Sequence, residues 1–163
     1  MRRLFVLLCA VSWLTASNSA FAQTEDEVVN LVRQTRQAVE DNALQALARI
    51  NRAEHPYQDS DNPSLYVFVL DTGLTVIAHP VRTHTIGTNL TGKPDAKGNM
   101  FRDEIRDKAL KDGSGWVDYY FSDPRTGQSA HKVSYFELVT GSDEKRYIIG
   151  SGKYFEEPPQ SAD

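Results

Sequence analysis

The chain has 163 residues, with 22 acidic against 18 basic, a net charge of −4 and one cysteine. The acidic balance argues against a nucleic-acid partner, because phosphate contacts need a basic surface. One cysteine excludes a disulfide framework, so the fold must be held by its core, and this length allows one domain with a core of adequate size.

The first residues read as a secretory signal peptide: basic Met1-Arg2-Arg3, an apolar run from Leu4 to Leu14, and a small-x-small site at Ala20-Phe21-Ala22. The apolar run is too short for a membrane span, which needs about 20 residues. Cleavage after Ala22 leaves a mature protein that is periplasmic or secreted. It loses Cys9, Arg2 and Arg3, so 16 basic residues face 22 acidic ones. No second apolar segment of membrane length follows, so any transmitted signal is expected to need a separate membrane partner.

Thr24-Glu25-Asp26-Glu27 has the form of a capping box. Val28, Val32, Val39, Ala43, Leu47 and Ile50 recur mostly at helical spacing. A long helix is predicted from about Glu25 to Ala53, ended by Pro56 and less buried at one end, because Arg33 to Gln37 is polar all round. Its apolar face needs a sheet or a second copy of the chain to cover it. Leu65 to Leu70 and Leu74 to Ala78, separated by Asp71-Thr72-Gly73, predict a hairpin buried on both faces. His79 to Gly98 is too long for an ordinary connection and reads as a lid. Asn99 is placed to cap a helix of about three turns, with Phe101, Ile105 and Ala109 on one face and Gly113 past its end. Glu104 with Lys108 and Asp107 with Lys111 are spaced to pair across its exposed side.

Gly115 to Val139 predicts a long hairpin around the turn Asp123-Pro124-Arg125-Thr126-Gly127. A last strand runs from Arg146 to Ser151, and 156–163 is a tail expected to fray. The fold class is α+β: an antiparallel sheet of five strands, a long N-terminal helix on one face and a loop-and-helix lid on the other. A ligand would sit between sheet and lid.

The sequence carries none of the common motifs for catalysis, metals or cofactors. There is no G-x-S-x-G, no cysteine nucleophile in the mature chain, no Walker A and no H-E-x-x-H. The histidines at 55, 79, 84 and 131 lack metal-ligand spacing. Asp59-Ser60-Asp61-Asn62 lacks the glycine and the closing glutamate of a calcium loop. The chain is therefore read as a non-enzyme without cofactor or metal.

The site-like residues lie mostly in the central hairpin. Lys132 in a buried strand needs a counter-charge, which is either Asp118, if the hairpin register places them opposite one another, or an anionic ligand. Tyr135 has a hydroxyl on an apolar body. Strict alternation puts it on the opposite face from Lys132, and the same objection separates Trp116 from Tyr119. Only a bulge or a strand-edge twist would bring them together. His79 ends its strand where the lid begins, so its ring meets either a ligand or the loop backbone.

Tyr66 to Asp71 (YVFVLD), Val76 to Pro80 (VIAHP), Ile86 to Leu90 (IGTNL), Gly115 to Tyr119 (GWVDY), Lys132 to Tyr135 (KVSY) and Ile148 to Gly152 (IIGSG) together resemble, in order and spacing, the extracytoplasmic single Cache domain. The resemblance covers roughly Glu25 to Tyr154, within a domain of 23–155. It implies a PAS-like sheet and a sensor for short carboxylates such as acetate, propionate, lactate or pyruvate. Lys132 and Tyr135 match the positions that hold the carboxylate, and His79, Trp116 and Tyr119 match positions in or near the pocket. The implied partners are a small organic acid and a membrane receptor or kinase, with a homodimer through the N-terminal helix as a further arrangement. Two features depart from the pattern: no membrane helix or signalling module follows, so the chain reads as free-standing, and Arg146-Tyr147 stand where the family often has tryptophan. The alternative reading is an accessory protein that binds a membrane receptor through the long helix without a small ligand.

Overall fold

The structure, a computed structural model, describes residues 24–155. The signal segment and the acidic tail lie outside the described residues. Eight elements follow in order: α1 (Glu25–Asn51), β1 (Val67–Asp71), β2 (Val76–Ala78), a 3-10 turn (Thr83–Thr85), α2 (Phe101–Asp112), β3 (Ser114–Ser122), β4 (Ser129–Thr140) and β5 (Arg146–Tyr154). The five strands form one antiparallel sheet in the order β2-β1-β5-β4-β3.

Helix α1 opens with both halves of the capping box: Glu27 N donates to Thr24 Oγ1 at 3.2 Å and Thr24 N to Glu27 Oε2 at 2.8 Å. It ends at Asn51, ahead of Arg52 and a left-handed Ala53 (φ 54°), slightly earlier than expected. The larger difference is a break. Asn42 leaves helical geometry (φ −155°, ψ 88°), and its side chain accepts from Gln45 N at 3.0 Å, as a cap starting a second helix does. The cause lies about one hundred residues away. The β4–β5 turn inserts Ser142 there: its N–H donates to Val39 O at 3.1 Å, and its Oγ accepts from Ala43 N at 2.8 Å.

As expected, the N-terminal part of α1 is the more exposed, though apolar anchors run along its whole length. Val28, Val32, Val39, Ala43 and Ile50 all have zero exposure, and the helix packs on Val67, Val69, Val139, Tyr147 and Ile149 of the sheet. The polar run meets a matching feature. Glu137 of β4 is 6% exposed, accepts from Arg36 Nη1 at 3.1 Å, and lies 3.5 Å from Arg33 Nε. Tyr147 packs in the same cluster and donates to Asp143 at 2.7 Å, so of the pair at 146–147 the tyrosine lies on the helix side of the sheet.

The other face carries the lid. Phe101, Ile105 and Ala109 of α2 pack on Phe68, Val117, Tyr119, Phe136 and Ile148. Asn99 does not cap α2. Met100 holds that position without a side-chain bond, while Asn99 Nδ2 donates to Asp95 at 2.9 Å. Glu104 pairs with Lys108 at 2.8 Å as spaced, but Asp107 pairs with Arg106.

Candidate functional site

In the β3–β4 register, Tyr119 stands opposite Lys132, Val117 opposite Ser134 and Trp116 opposite Tyr135. No bulge intervenes, so alternation holds throughout. Tyr119, Lys132 and Ser134 face the lid. Trp116, Asp118 and Tyr135 face α1.

Lys132 has zero exposure. Asp118 is not its partner: it lies one register position off, its side chain is 77% exposed, and it approaches His131 at 3.5 Å. Lys132 Nζ instead donates to Tyr66 Oη at 2.9 Å and lies 4.0 Å from the Tyr66 ring centre and 4.6 Å from that of Tyr154. Tyr66 and Tyr154 hydroxyls are 2.9 Å apart, and Tyr154 Oη donates to Ser122 O at 3.1 Å.

A cavity of about 40 Å³ lies beside this chain, between sheet and α2. Its apolar wall is Phe68, Leu70, Phe101, Ile105 and Phe121, and its polar wall is Tyr66, His79, Arg102 and Tyr119. At about 10–15 Å³ for each water-sized occupant, it suits a molecule of only a few heavy atoms. Lys132 stands directly behind Tyr66. His79 Nδ1 accepts from Val81 N at 3.3 Å and Arg82 N at 3.1 Å, so its remaining proton is on Nε2. Burial, with Lys132, Arg82 and Arg102 adding to it, lowers the His79 pKa to about 3 and keeps the ring neutral. Tyr119 stacks on Phe101 at 3.8 Å and shares a 2.8 Å hydrogen bond with Ser134. Burial raises its pKa to about 12.

Two arginines complete the site, and neither was singled out from the sequence. The Arg102 guanidinium lies 4.1 Å from the Phe101 ring centre, and Arg82 lies 4.2 Å from that of Phe121. Among the described residues, no carboxylate is within ion-pair distance of Lys132, Arg82 or Arg102. Asp123 is the acid nearest in effect to Lys132, but it is held by Arg125 at 2.9 Å and by the Ser64 hydroxyl; Asp95 and Asp103 act on Arg102 from beyond ion-pair distance. Arg102 was hidden in the sequence by its neighbour Asp103, which in the fold serves Arg106 at 3.2 Å. The available signal was a lid segment with basic residues and few acids at pairing distance.

Of the five residues singled out from the sequence, His79, Tyr119 and Lys132 come together here. Trp116 and Tyr135 do not. They pack on each other across the sheet at 5.2 Å, and the Tyr135 hydroxyl donates to Glu137 at 2.7 Å. Among the described residues, no group of three or more His, Cys, Asp or Glu is placed to hold a metal.

The lid is tied to the outer edge of the sheet by Asp95. Its carboxylate accepts from Lys97 N, Asn99 N and Tyr120 N, each at 2.8 Å, the last from the free edge of β3. Burial alone would raise the Asp95 pKa, but these bonds outweigh it and lower the pKa from 3.8 to about 2. A depressed carboxyl stabilises the native form above its unfolded value and loses that contribution as pH falls through the folded one. Lid anchoring should therefore weaken between about pH 4 and pH 2. Asp95→Ala should speed amide exchange at Lys97, Asn99 and Tyr120 at neutral pH by about tenfold or more, as loss of charge-assisted bonds implies. Unchanged protection at these three amides contradicts the anchor.

A profile described as Cache domain matches residues 46–160. The chain belongs to the Cache domain family. Cache domains are extracytoplasmic sensor modules, and among the described residues no helix is long and apolar enough to cross a membrane. This Cache chain is 32% identical over 92 residues to the sensor histidine kinase MctS of Rhizobium johnstonii, covering 56% of this chain and 19% of that protein. It thus spans about a fifth of that curated relative. Among solved structures it resembles a Cache chemosensory domain described for carboxylic acid recognition (22% identity, TM-score 0.65, 82% of this chain and 100% of that one). It also resembles a methyl-accepting chemotaxis protein from Vibrio parahaemolyticus (18% identity, TM-score 0.63, 80% and 87%). At these identities the structural likeness establishes the fold.

Proposed function

We propose that this Cache domain binds a short monocarboxylate between sheet and lid and passes its occupancy to a separate membrane receptor or kinase. In this reading the mature protein begins after Ala22 and works in the periplasm or outside the cell. The observation that carries it is a small cavity with Arg102 in its wall, Lys132 behind its Tyr66 and Arg82 against its Phe121, none of the three with an acidic partner within ion-pair reach among the described residues. Two half-buried guanidiniums and a buried basic nitrogen favour an anion at the cavity, and a carboxylate supplies the counter-charge. The His79 Nε2–H, the Tyr119 hydroxyl and Arg102 stand in the cavity wall, with Lys132 behind Tyr66. The apolar wall fits a chain of one or two carbons. The MctS relative is a sensor kinase and one structural neighbour is described for carboxylic acid recognition, which supports the same reading.

A ligand this small makes few contacts, so affinity should be about micromolar. Acetate, propionate, lactate and pyruvate are to be titrated while thermal unfolding is followed, with propionamide as the uncharged control. At about one hundred times Kd the stabilisation is about 2.7 kcal/mol, a rise of several degrees. At least one acid should produce it and the amide should not. No shift with any acid at millimolar concentration overturns the proposal, and retained capture from a membrane fraction would then favour the accessory role.

A further inference from the structure

The direction of every proton in the buried chain is fixed by its last member. Ser122 O accepts only, so Tyr154 Oη spends its one proton there, at 3.1 Å. Tyr66 must therefore donate to Tyr154 across 2.9 Å, and Lys132 must donate to Tyr66. An uncharged amine at Lys132 satisfies this arrangement and keeps a lone pair that Tyr66 does not engage. The surroundings favour that form. Arg82 from the lid and His79 from the end of β2 lie within electrostatic reach of the nitrogen, and Arg102 of α2 shares the Phe121 ring with it, at 5.7 Å against 5.8 Å. Tyr119, Tyr66 and Tyr154 are neutral, and Asp123 is held by Arg125. Burial drives Lys132 well below the ordinary lysine value of 10.5; Asp123 opposes it without cancelling it, and Arg82 adds a smaller push in the same direction as burial.

We infer that the acid enters this cavity together with one proton, which is taken up by Lys132, so that the site responds to carboxylate and hydrogen-ion activity jointly. This rests on the reading that the cavity takes a carboxylate. The balance is simple: carboxylate, proton and amine become a bound carboxylate and an ammonium behind the Tyr66 wall of the same cavity, and the undissociated acid delivers the same components. No other group in the site is suited to accept the proton. The arginines are already charged and the tyrosines already protonated. Protonating His79 Nδ1 would break its bonds from Val81 N and Arg82 N.

The test is calorimetric titration of the wild-type domain with propionate at pH 9, in two buffers of different ionisation enthalpy, alongside the ¹³Cε resonance of Lys132. An ordinary lysine is already protonated at this pH and takes up almost nothing. Here uptake should approach about one proton per site, Kd should rise by about tenfold per pH unit between pH 8 and 10, and the resonance should move from its amine to its ammonium position on binding. Lys132→Arg, permanently charged, should bind without proton uptake. Binding with no proton exchange and no resonance shift overturns the inference while leaving the carboxylate reading intact. Uptake that persists in Lys132→Arg overturns it too, by placing the proton elsewhere. Failure of propionate and the other short acids to bind at any pH from 6 to 9 removes both.

Discussion

Replacing Lys132 by methionine is expected to raise the unfolding free energy by about 1–4 kcal/mol and to erase the response to carboxylates. The expectation runs against the usual effect of core substitutions. Lys132 has zero exposure and no carboxylate within ion-pair reach, so the native state carries its desolvation without return. Methionine keeps most of the stem and removes only the amine. Tyr66 loses one donor but still gives its proton to Tyr154. Linkage adds a signature. Between the depressed native value and the ordinary 10.5, the unfolded chain holds a proton that the native protein lacks. Wild-type stability should therefore rise with pH across that window, and Lys132→Met should flatten the slope. Urea unfolding at several pH values, with calorimetry against propionate, measures both. A variant less stable than wild type by 1 kcal/mol or more would show that the native protein holds a satisfied ammonium.

Gly152→Ala should have the opposite effect on stability, a loss of about 3 kcal/mol or more, since overpacking a rigid site usually costs 1–3 kcal/mol and sometimes more. A Cβ there would stand 2.2 Å from Ser134 Oγ, 2.6 Å from Val133 O and 2.7 Å from Lys132 Cε. Ser134 is engaged with Tyr119 at 2.8 Å, and Val133 O is backbone of the neighbouring central strand. The lysine stem could move only by leaving Tyr66. Strands β4 and β5 would have to part where the site is built, so affinity should fall with stability. Urea midpoints decide it: a change within 0.5 kcal/mol is incompatible with this packing.

The architecture was legible because its signals are local. Alternation and turn chemistry marked the hairpins, the capping box marked Thr24, and Gly113 marked the end of α2. The alternation argument also separated Lys132 from Tyr135 correctly. The family resemblance placed both at the ligand, but the strands carry no bulge to bring them together. What the sequence left open was register. Whether Lys132 met Asp118 depended on the hairpin loop, and pairing Ser122 with Ser129 shifts them by one position. The arginines escaped notice because Arg102 adjoins an acid that serves another residue. The break at Asn42 sits in a run of helical periodicity, and its cause, Ser142, is distant in the chain.

That break has a mechanical meaning. A straight helix resists bending because its hydrogen bonds must stretch, but at Asn42 the Val39 carbonyl and the Ala43 amide are already served by Ser142. The angle between the two halves of α1 is therefore set in part by the β4–β5 turn and not by the helix alone. The turn that holds the pivot is the direct continuation of the strand bearing Lys132. A small slide of that strand would reach the rod as a change of angle, magnified along the 17 residues from Glu25 to Asp41.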